Sequence, residues 1–179
     1  MLRSGADFLS MESGTDLQTD IFEAKTYRRG LIMEPEIQKK LYGHHLLLYD
    51  GVCGLCNGLT KFVLPRDKRD IFRFASLQSQ FAQDVLKRYG RDASDLDTFY
   101  AVSNYGLPEE AIKERADAAL FVLDQLGGIY SLSRIYRLLP LSLLNRVYDL
   151  VAKNRYKMFG KYETCLLPNA TYANKFIDV

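Results

Sequence analysis

The sequence predicts an α/β protein in which short buried strands alternate with amphipathic helices. Apolar runs of strand length recur along the chain, and each is followed by a segment whose apolar residues are spaced three and four apart. In addition, 47% of the 179 residues are hydrophobic and 26% are charged, which supplies a packed core and disfavours disorder. We therefore expect one mixed sheet with helices on its faces.

The first strand runs directly into the first helix of the predicted core. The segment HLLLYD is an apolar run whose length suits a buried strand better than a helix. After the turn, LCNGLTKFVLPRD places apolar residues at helical spacing, and Pro65 is predicted to end the helix. A strand, a tight turn and a helix therefore follow one another.

The remaining core elements follow from alternation and from turn residues. IFRFAS alternates around Arg73 and predicts a strand, after which Ser76 is predicted to cap a helix that ends at Gly90. LDTFYAVSNYGLPEEAIKER predicts a hairpin that turns at residues 104–106, and ADAALFVLDQL predicts another helix. Thioredoxins and glutaredoxins have this order of elements, so the predicted fold is a thioredoxin-like (glutaredoxin-like) mixed sheet with flanking helices.

Three segments are predicted along the chain. Residues 1–42 lack sustained periodicity, and we expect an N-terminal extension that is partly disordered. Residues 43–128 form the thioredoxin-like core. Residues 129–179 are predicted to be a C-terminal helical extension packed on the core, with two amphipathic helices separated at Pro140. Their apolar positions are Ile129, Leu132, Ile135, Tyr136 and Leu139, then Leu143, Leu144, Val147, Tyr148 and Val151.

Cysteine content and hydropathy bear on location and partners. Three cysteines are too few for the disulfide scaffold of a secreted domain, so we expect a reducing compartment, the cytoplasm. No apolar stretch has the length of a signal peptide or of a membrane span, and we expect no stable membrane insertion. Residues 129–179 contain eight Lys or Arg and three Asp or Glu. The pI of about 8.3 is nevertheless low for a nucleic-acid-binding domain, so we predict no nucleic-acid partner.

Two of the cysteines, Cys53 and Cys56, lie three residues apart where the first strand meets the first helix. A helix N-terminus favours the thiolate of Cys53, and Cys56 follows one turn later. Cys53 is therefore predicted to attack a substrate disulfide and Cys56 to resolve the mixed disulfide, without a prosthetic group. Asp50 could accept or return a proton, or cap the helix. The pattern predicts a thiol-disulfide oxidoreductase acting on protein or small-molecule disulfides and thiols.

Two other interpretations of the cysteine pair stay open. Half of a zinc site would need further ligands, and Cys165, His44 and His45 could supply at most an irregular set. Alternatively, the pair is structural, since free cysteines are often buried. The flanking Gly51 and Gly54 argue against that interpretation because they suit a tight turn with close backbone approach.

The motif DGxCxLC, matched by Asp50, Gly51, Cys53, Leu55 and Cys56, resembles the signature of the DCC family of thiol-disulfide oxidoreductases. The resemblance extends to about residue 170 through four further segments: FRFASLQS at 72–79, LDTFYAV at 96–102, ADAALFVLDQLGG at 116–128 and YDLVAKNRYKMFG at 148–160. It implies a thioredoxin-like fold and dithiol chemistry, but it does not indicate a substrate.

Two departures from the expected pattern accompany this resemblance. Thioredoxin-like enzymes carry a cis-proline before the third core strand, yet DASDLDTFY contains no proline. Substrate clamping must therefore differ, and the alternative is a non-catalytic thioredoxin-like binding module that uses its basic C-terminal helices for a partner. Ala116 also stands where the family has a serine, so we expect an N-cap hydroxyl to be lost there.

Four secondary candidates lie in the C-terminal part of the chain. Cys165 could be a third redox cysteine that pairs with Cys53, or a buried packing residue. Asn154, Arg155 and Tyr156 resemble the family's C-terminal motif. They could bring a cation near the thiolate and lower its pKa, or belong to a solvated helix face.

Overall fold

Four strands form one mixed sheet in the order β2-β1-β3-β4. They are β1 (His45–Tyr49), β2 (Phe72–Ser76), β3 (Tyr100–Ser103) and β4 (Ala111–Glu114). β1 pairs in parallel with β2 and antiparallel with β3, and β3 pairs antiparallel with β4. The structure is a computed structural model that describes residues 35–92, 94–162 and 170–177.

Five α-helices and three 3-10 helices accompany this sheet in the described part of the chain. The α-helices are α1 (Pro35–Leu41), α2 (Gly54–Val63), α3 (Gln80–Arg88), α4 (Arg115–Leu126) and α5 (Leu141–Phe159). The 3-10 helices are Leu64–Arg66, Gly128–Leu138 and Ala170–Lys175. The predicted order of strands and helices is confirmed, and the architecture is thioredoxin-like.

Apolar clusters cover both faces of the sheet, which explains the uninterrupted apolar sequence of β1. Leu47 and Tyr49 join a cluster with residues of α2 and α4. Leu46 and Leu48 point to the opposite face and join residues of α1 and α3. Side chains alternate between the faces of a strand, so a strand buried on both faces needs apolar residues at every position.

Two predicted helix boundaries are wrong by two or three residues. Ser79, not Ser76, is the N-cap of α3, and its Oγ accepts a hydrogen bond from the backbone of Ala82 at 3.2 Å. Ser76 is instead the last residue of β2, where it pairs with Tyr49. α2 ends at Val63 and is followed by a 3-10 turn that includes Pro65. Pro65 lies in the first turn of that helix, where the backbone N–H has no helical partner, so a proline there costs no hydrogen bond.

The predicted loss of an N-cap hydroxyl at Ala116 is also wrong. Glu114 is the N-cap of α4, and its side chain makes no capping hydrogen bond. Ala116 lies inside the first turn of the helix and is buried. A hydroxyl at that position would not cap the helix.

The C-terminal part of the chain differs from the two predicted amphipathic helices. The first is a 3-10 helix, whereas the second is α5, and Pro140 separates them as expected. α5 packs against α2 and α4. Most of the apolar residues predicted to face the core are exposed, however: Ile129, Leu132, Ile135, Tyr136, Leu139, Leu143 and Val147. The buried face of α5 contains Ala152 and Arg155.

Of the predicted extension at residues 1–42, residues 1–34 lie outside the described residues, as does Cys165. Residues 35–41 of it form α1, and Leu41 is buried in the core. None of the helices in the described part of the chain combines the length and the hydropathy required to cross a bilayer.

Candidate active site

The cysteine pair lies at the start of α2, in the turn that leaves the carboxyl end of β1. Cys53 is the N-cap of α2 with an extended backbone, and Cys56 lies in the first helical turn. The turn is held by a hydrogen bond of 3.2 Å from the Cys53 N–H to the Asp50 carbonyl. Asn57 Nδ2 also donates to the Gly51 carbonyl at 2.9 Å. The predicted position of the pair at a strand-to-helix turn is confirmed.

The two thiols have pKa values shifted in opposite directions. The pKa of Cys53 is lowered to about 6, chiefly by a hydrogen bond from the Cys56 thiol, against the opposing effect of burial. The backbone N–H groups of Cys56 and Leu55 and the charge of Arg155 lower it further. The pKa of Cys56 is raised because its proton is held by Cys53 and because it is buried. Near neutral pH, Cys53 carries the negative charge and Cys56 keeps its proton.

A backbone segment at the end of α5 covers Cys53, whose exposed fraction is 0%. The Gly54 N–H donates to the Gly160 carbonyl at 3.1 Å, and the Tyr162 N–H donates to the Val52 carbonyl at 2.8 Å. Cys53 and Lys161 form an isolated antiparallel bridge between them. We call residues 160–162 the strap. Cys56 is partly exposed.

Gly54 permits this close approach of the two segments. A Cβ at Gly54 would lie 2.0 Å from the carbonyl oxygen of Phe159, far inside van der Waals contact. No larger residue fits unless the end of α5 moves. The close backbone approach predicted for this glycine is therefore confirmed.

Asp50 is a buried carboxylate that accepts hydrogen bonds on both oxygens. The Val52 N–H and Gln78 Nε2 donate to Oδ1 at 3.1 and 2.8 Å. Arg155 Nη2 and the Tyr156 hydroxyl donate to Oδ2 at 3.2 and 2.6 Å. Burial alone would raise the pKa of Asp50, but these bonds outweigh it and lower the pKa. Asp50 does not cap α2, because that position belongs to Cys53.

Arg155 and Tyr156, two of the secondary candidates, reach the site from α5. The buried Arg155 pairs with Asp50 and also contacts Asp97 through Nη1 at 2.7 Å. Burial and the hydrogen bond to Asp50 raise the pKa of Tyr156 to about 12. Asn154 lies elsewhere, since its Nδ2 donates to the Leu150 carbonyl of its own helix at 2.8 Å.

Gln78 and Tyr148 also contribute to the site, although the sequence predicted no site role for Gln78 and only a core-facing helix position for Tyr148. Gln78 accepts a hydrogen bond from the Gly51 N–H at 3.1 Å while donating to Asp50, so it links the turn to the carboxylate. The Tyr148 hydroxyl accepts from the Phe99 N–H at 2.8 Å and donates to the Asp97 carbonyl at 3.4 Å. Both residues lie in segments that resemble the DCC family, and this resemblance was the sequence feature that could have indicated them as site residues.

The loop before β3 is therefore held by side chains of α5. Besides the Tyr148 bonds, Arg155 Nη2 donates to the Leu96 carbonyl at 3.3 Å. The described residues contain no cis peptide bond. A cavity of about 40 Å³ lies between this loop, α5 and Cys56. Its lining includes Leu55, Cys56, Thr98, Phe99, Tyr148 and Val151.

The histidines predicted as possible zinc ligands have other partners. His45 Nδ1 accepts from the Asn104 N–H at 3.1 Å, and its ring packs against Phe121. His44 Nε2 lies 2.9 Å from Arg73 Nη2. Within the described ranges, no group of three or more His, Cys, Asp and Glu could hold a metal ion. The described geometry thus offers no support for the zinc alternative.

Comparisons with known proteins match the part of the chain that holds this site. A family model described as DCC1-like thiol-disulfide oxidoreductase matches residues 47–161. The chain is 34% identical over 134 residues to the uncharacterized protein YuxK of Bacillus subtilis (strain 168), covering 75% of this chain and 94% of that protein. It is 33% identical over 123 residues to the DCC family protein At1g52590, chloroplastic, of Arabidopsis thaliana, covering 68% of this chain and 69% of that protein. No solved structure matches the chain significantly.

Proposed function

Because the chain belongs to the DCC1-like thiol-disulfide oxidoreductase family, we propose that it exchanges dithiols and disulfides through Cys53 and Cys56. The observation that carries this proposal is the position of Cys53 as the N-cap of α2 with Cys56 in the first turn, where the Cys56 thiol donates to Cys53 and the two pKa values shift in opposite directions. One sulfur is charged near neutral pH and its neighbour holds a proton. A thiolate is the nucleophile in exchange, and a protonated neighbour can wait until the mixed disulfide has formed.

Reduction of a substrate disulfide proceeds in two displacements. The Cys53 thiolate attacks one substrate sulfur, a mixed disulfide forms, and the other substrate sulfur leaves as a thiolate. Cys56 then attacks Cys53 Sγ, its proton passes to a leaving thiolate, and the second substrate sulfur departs. Two electrons have moved to the substrate, and the protein holds a Cys53–Cys56 disulfide. A dithiol reductant reverses the sequence, so no prosthetic group is needed.

Formation of the mixed disulfide itself prepares Cys56 for the second step. The Cys53 thiolate raises the pKa of Cys56 both by a hydrogen bond and by its charge. Both effects vanish when Cys53 Sγ becomes part of a disulfide. The pKa of Cys56 then falls, so resolution becomes easier at the moment when it is required.

We assign Asp50 and Arg155 a positioning role. A lowered pKa makes Asp50 a weak base, so its four hydrogen bonds fit orientation of the turn better than proton transfer. Arg155 stays charged beside it and lowers the pKa of Cys53 by its charge. Asp50 also raises the pKa of Cys56 by its charge. The ion pair therefore favours a Cys53 thiolate beside a protonated Cys56.

Access to Cys53 requires the strap to move. Two backbone hydrogen bonds hold residues 160–162 against the turn, and each contributes about 0.5–1.5 kcal/mol net. Opening therefore costs an amount that thermal fluctuation or substrate binding can supply. The substrate is a protein or small-molecule disulfide or thiol. We place the reaction in a reducing compartment, the cytoplasm, because three cysteines are few for a secreted domain.

The experiment that tests this function is a redox titration of the purified full chain, with free thiols alkylated by a mass tag and mapped by peptide mass spectrometry. We expect a reversible Cys53–Cys56 disulfide with a defined potential. Cys53→Ser should abolish disulfide reductase activity, and Cys56→Ser should accumulate the mixed disulfide. Free thiols at both positions across the whole range, or full activity in Cys53→Ser, would contradict the proposal.

A non-catalytic binding module is the second candidate, favoured by the complete burial of Cys53. In that case the basic C-terminal helices would contact a partner and the thiols would stay reduced. The redox titration separates the two candidates, since only the oxidoreductase forms the disulfide. A Cys53→Ser, Cys56→Ser double variant that still captures a partner would favour the binding module.

Cys165 remains a proposal as a third redox cysteine. It follows Lys161, which pairs with Cys53, by four residues in the sequence. Peptide mapping of the oxidised Cys56→Ser variant should detect a Cys53–Cys165 disulfide. If this disulfide is absent, Cys165 has no redox role.

A further inference from the structure

Large apolar side chains are exposed along the 3-10 helix Gly128–Leu138, the turn at Pro140 and the outward face of α5. Leu138 is 83% exposed and Leu150 is 66% exposed. Single exposed apolar residues are ordinary on protein surfaces, but a continuous patch marks an interaction site. We call the following set the outer surface: Leu138, Leu143, Val147 and Leu150, with the basic residues Arg146, Lys153 and Lys157.

The outer surface has two adjacent stripes at helical spacing. Leu143, Val147 and Leu150 follow one another at intervals of four and three residues, so they share one face of α5. Arg146, Lys153 and Lys157 recur at intervals of seven and four and lie beside that face. The opposite face, with Ala152 and Arg155, is buried against the core. The apolar stripe is therefore additional to the face that stabilises the fold.

The basic stripe has no acidic partner among the described residues. Arg134 and Arg137 pair with Asp124 of α4, but no described carboxylate pairs with Arg146, Lys153 or Lys157. Asp149 is the only acidic residue of α5, and it pairs with Arg115 at 3.7 Å. Within the part of the chain that the structure describes, these three positive charges are uncompensated and available to an anionic partner.

The combination of stripes selects among possible partners. A second copy related by two-fold symmetry would bring the same three cations face to face, which is unfavourable. Nucleic-acid phosphates would satisfy the cations and leave the apolar stripe in water. An anionic lipid surface satisfies both, because headgroups attract the basic residues and the acyl boundary takes up the apolar ones. Protruding side chains such as Leu138 can enter that boundary without a complementary groove.

We propose that the outer surface binds reversibly to anionic membranes, with α5 lying in the plane of the headgroups. This mode requires no spanning helix and is compatible with the absence of one in the described residues. Because the end of α5 contacts Gly54, one residue after Cys53, bound protein would hold the cysteine pair at a fixed position relative to the lipid surface. The binding itself does not depend on thiol chemistry.

Co-sedimentation of the full chain with vesicles tests the proposal. We expect binding to phosphatidylcholine mixed with phosphatidylglycerol, little binding to phosphatidylcholine alone, and weakening by salt. Arg146→Gln, Lys153→Gln and Lys157→Gln together should reduce affinity on the order of 100-fold, since each basic residue near an anionic surface contributes about fivefold. Leu143→Gln, Val147→Gln and Leu150→Gln together should also abolish binding, although every charge is kept.

A matched control removes the same charge elsewhere on the protein. Lys39, Lys61 and Lys68 are exposed and lie outside the outer surface, so their triple Gln variant should bind vesicles like the parent. Cys53→Ser with Cys56→Ser should also bind unchanged, which separates this proposal from the proposed function.

Several outcomes would overturn the proposal. The first is that the protein does not bind anionic vesicles, and the second is that it binds neutral vesicles as well as anionic ones. The third is that the outer-surface charge variant and the control charge variant lose the same amount of vesicle binding. Sedimentation velocity that shows a dimer dissociated by the three apolar substitutions, without vesicle binding, would identify a second copy as the occupant. RNA binding that is lost with the three cations while vesicles stay unbound would identify a nucleic acid instead.

Discussion

At the scale of single residues, the site depends on how charge is distributed over two sulfurs and one carboxylate. Cys56 donates its hydrogen bond to Cys53, which is the largest cause of the lowered pKa of that thiol. Asp50 and Arg155 form a buried pair beside them. Local hydrogen bonds thus distinguish two cysteines that are only three residues apart.

The thiolate of Cys53 should be detectable by its ultraviolet absorbance in a pH titration of the reduced protein. We expect a midpoint near pH 6, because the pKa is lowered to about 6. Cys56→Ala removes the main donor and should move the midpoint toward the ordinary value of about 8.5. Cys56→Ser keeps a hydroxyl donor and should move it less. Equal midpoints in the two variants would show that the hydrogen bond is not the cause.

Asp50→Asn should destabilise the protein by about 1–3 kcal/mol, because the buried Arg155 would lose its buried partner and keep only its ion pair with the exposed Asp97. Asp97→Asn is the matched control: Asp97 contacts the same Arg155, but its side chain is 69% exposed, so the expected loss is below about 1 kcal/mol. Urea denaturation of the two variants and the parent measures both changes in the free energy of unfolding.

The pH dependence of these variants follows from the lowered pKa of Asp50. Its ionised form contributes stability at pH values above the ordinary pKa of about 3.9, and that contribution is lost as pH falls through the lowered folded-state pKa. The difference between parent and Asp50→Asn should therefore shrink in acid. A difference that persists there would point to a cause other than the ion pair.

At the scale of elements, the contact between the start of α2 and the end of α5 determines whether Cys53 is covered. Gly54→Ala should destabilise the protein by about 1–3 kcal/mol, because the new Cβ would overlap the Phe159 carbonyl. Gly58→Ala in the same helix meets nothing within 4 Å and should stabilise by about 0.5–1 kcal/mol. Thermal unfolding of both variants distinguishes the steric effect from helix propensity. Similar changes in Tm for the two variants would contradict the steric overlap at Gly54.

The strap should limit the reactivity of Cys53 toward alkylating reagents. Tyr162→Pro removes the N–H that donates to the Val52 carbonyl, so iodoacetamide should react with Cys53 several-fold faster. Tyr162→Ala removes the same side chain but keeps the N–H, and it should react at the parent rate. If alanine accelerates the reaction as much as proline does, the side chain rather than the backbone bond covers Cys53.

At the scale of the whole molecule, α5 completes the site by holding the loop before β3. Tyr148→Phe would leave the Phe99 N–H without its partner at 2.8 Å, and an unsatisfied buried group costs about 1–3 kcal/mol. Tyr130→Phe is the control, since the Tyr130 hydroxyl accepts only an exposed bond from Arg66. Chemical denaturation should show a larger loss of unfolding free energy for Tyr148→Phe than for Tyr130→Phe. Equal losses would show that the loop does not need the hydrogen bond from the Phe99 N–H.

Three predictions that depended on neighbouring residues agreed with the structure. The apolar run HLLLY became β1, the cysteine pair lies at a strand-to-helix turn, and residues 104–106 fall between β3 and β4 of the hairpin. Strand runs and turn chemistry act over a few residues, so they are encoded locally. The choice of Ser79 over Ser76 as N-cap was not local, because the pairing of Tyr49 with Ser76 extends β2 to that residue.

The sequence by itself determined the order of the elements, the position of the cysteine pair and the pattern that resembles the DCC family. Only the tertiary structure decided which side chains surround the pair, because Gln78, Asp97 and Arg155 come from segments far apart in the chain. It also decided that Leu143 and Val147 face outward. Periodicity shows that a helix has an apolar stripe, but the residues that pack against the helix select the face that is buried.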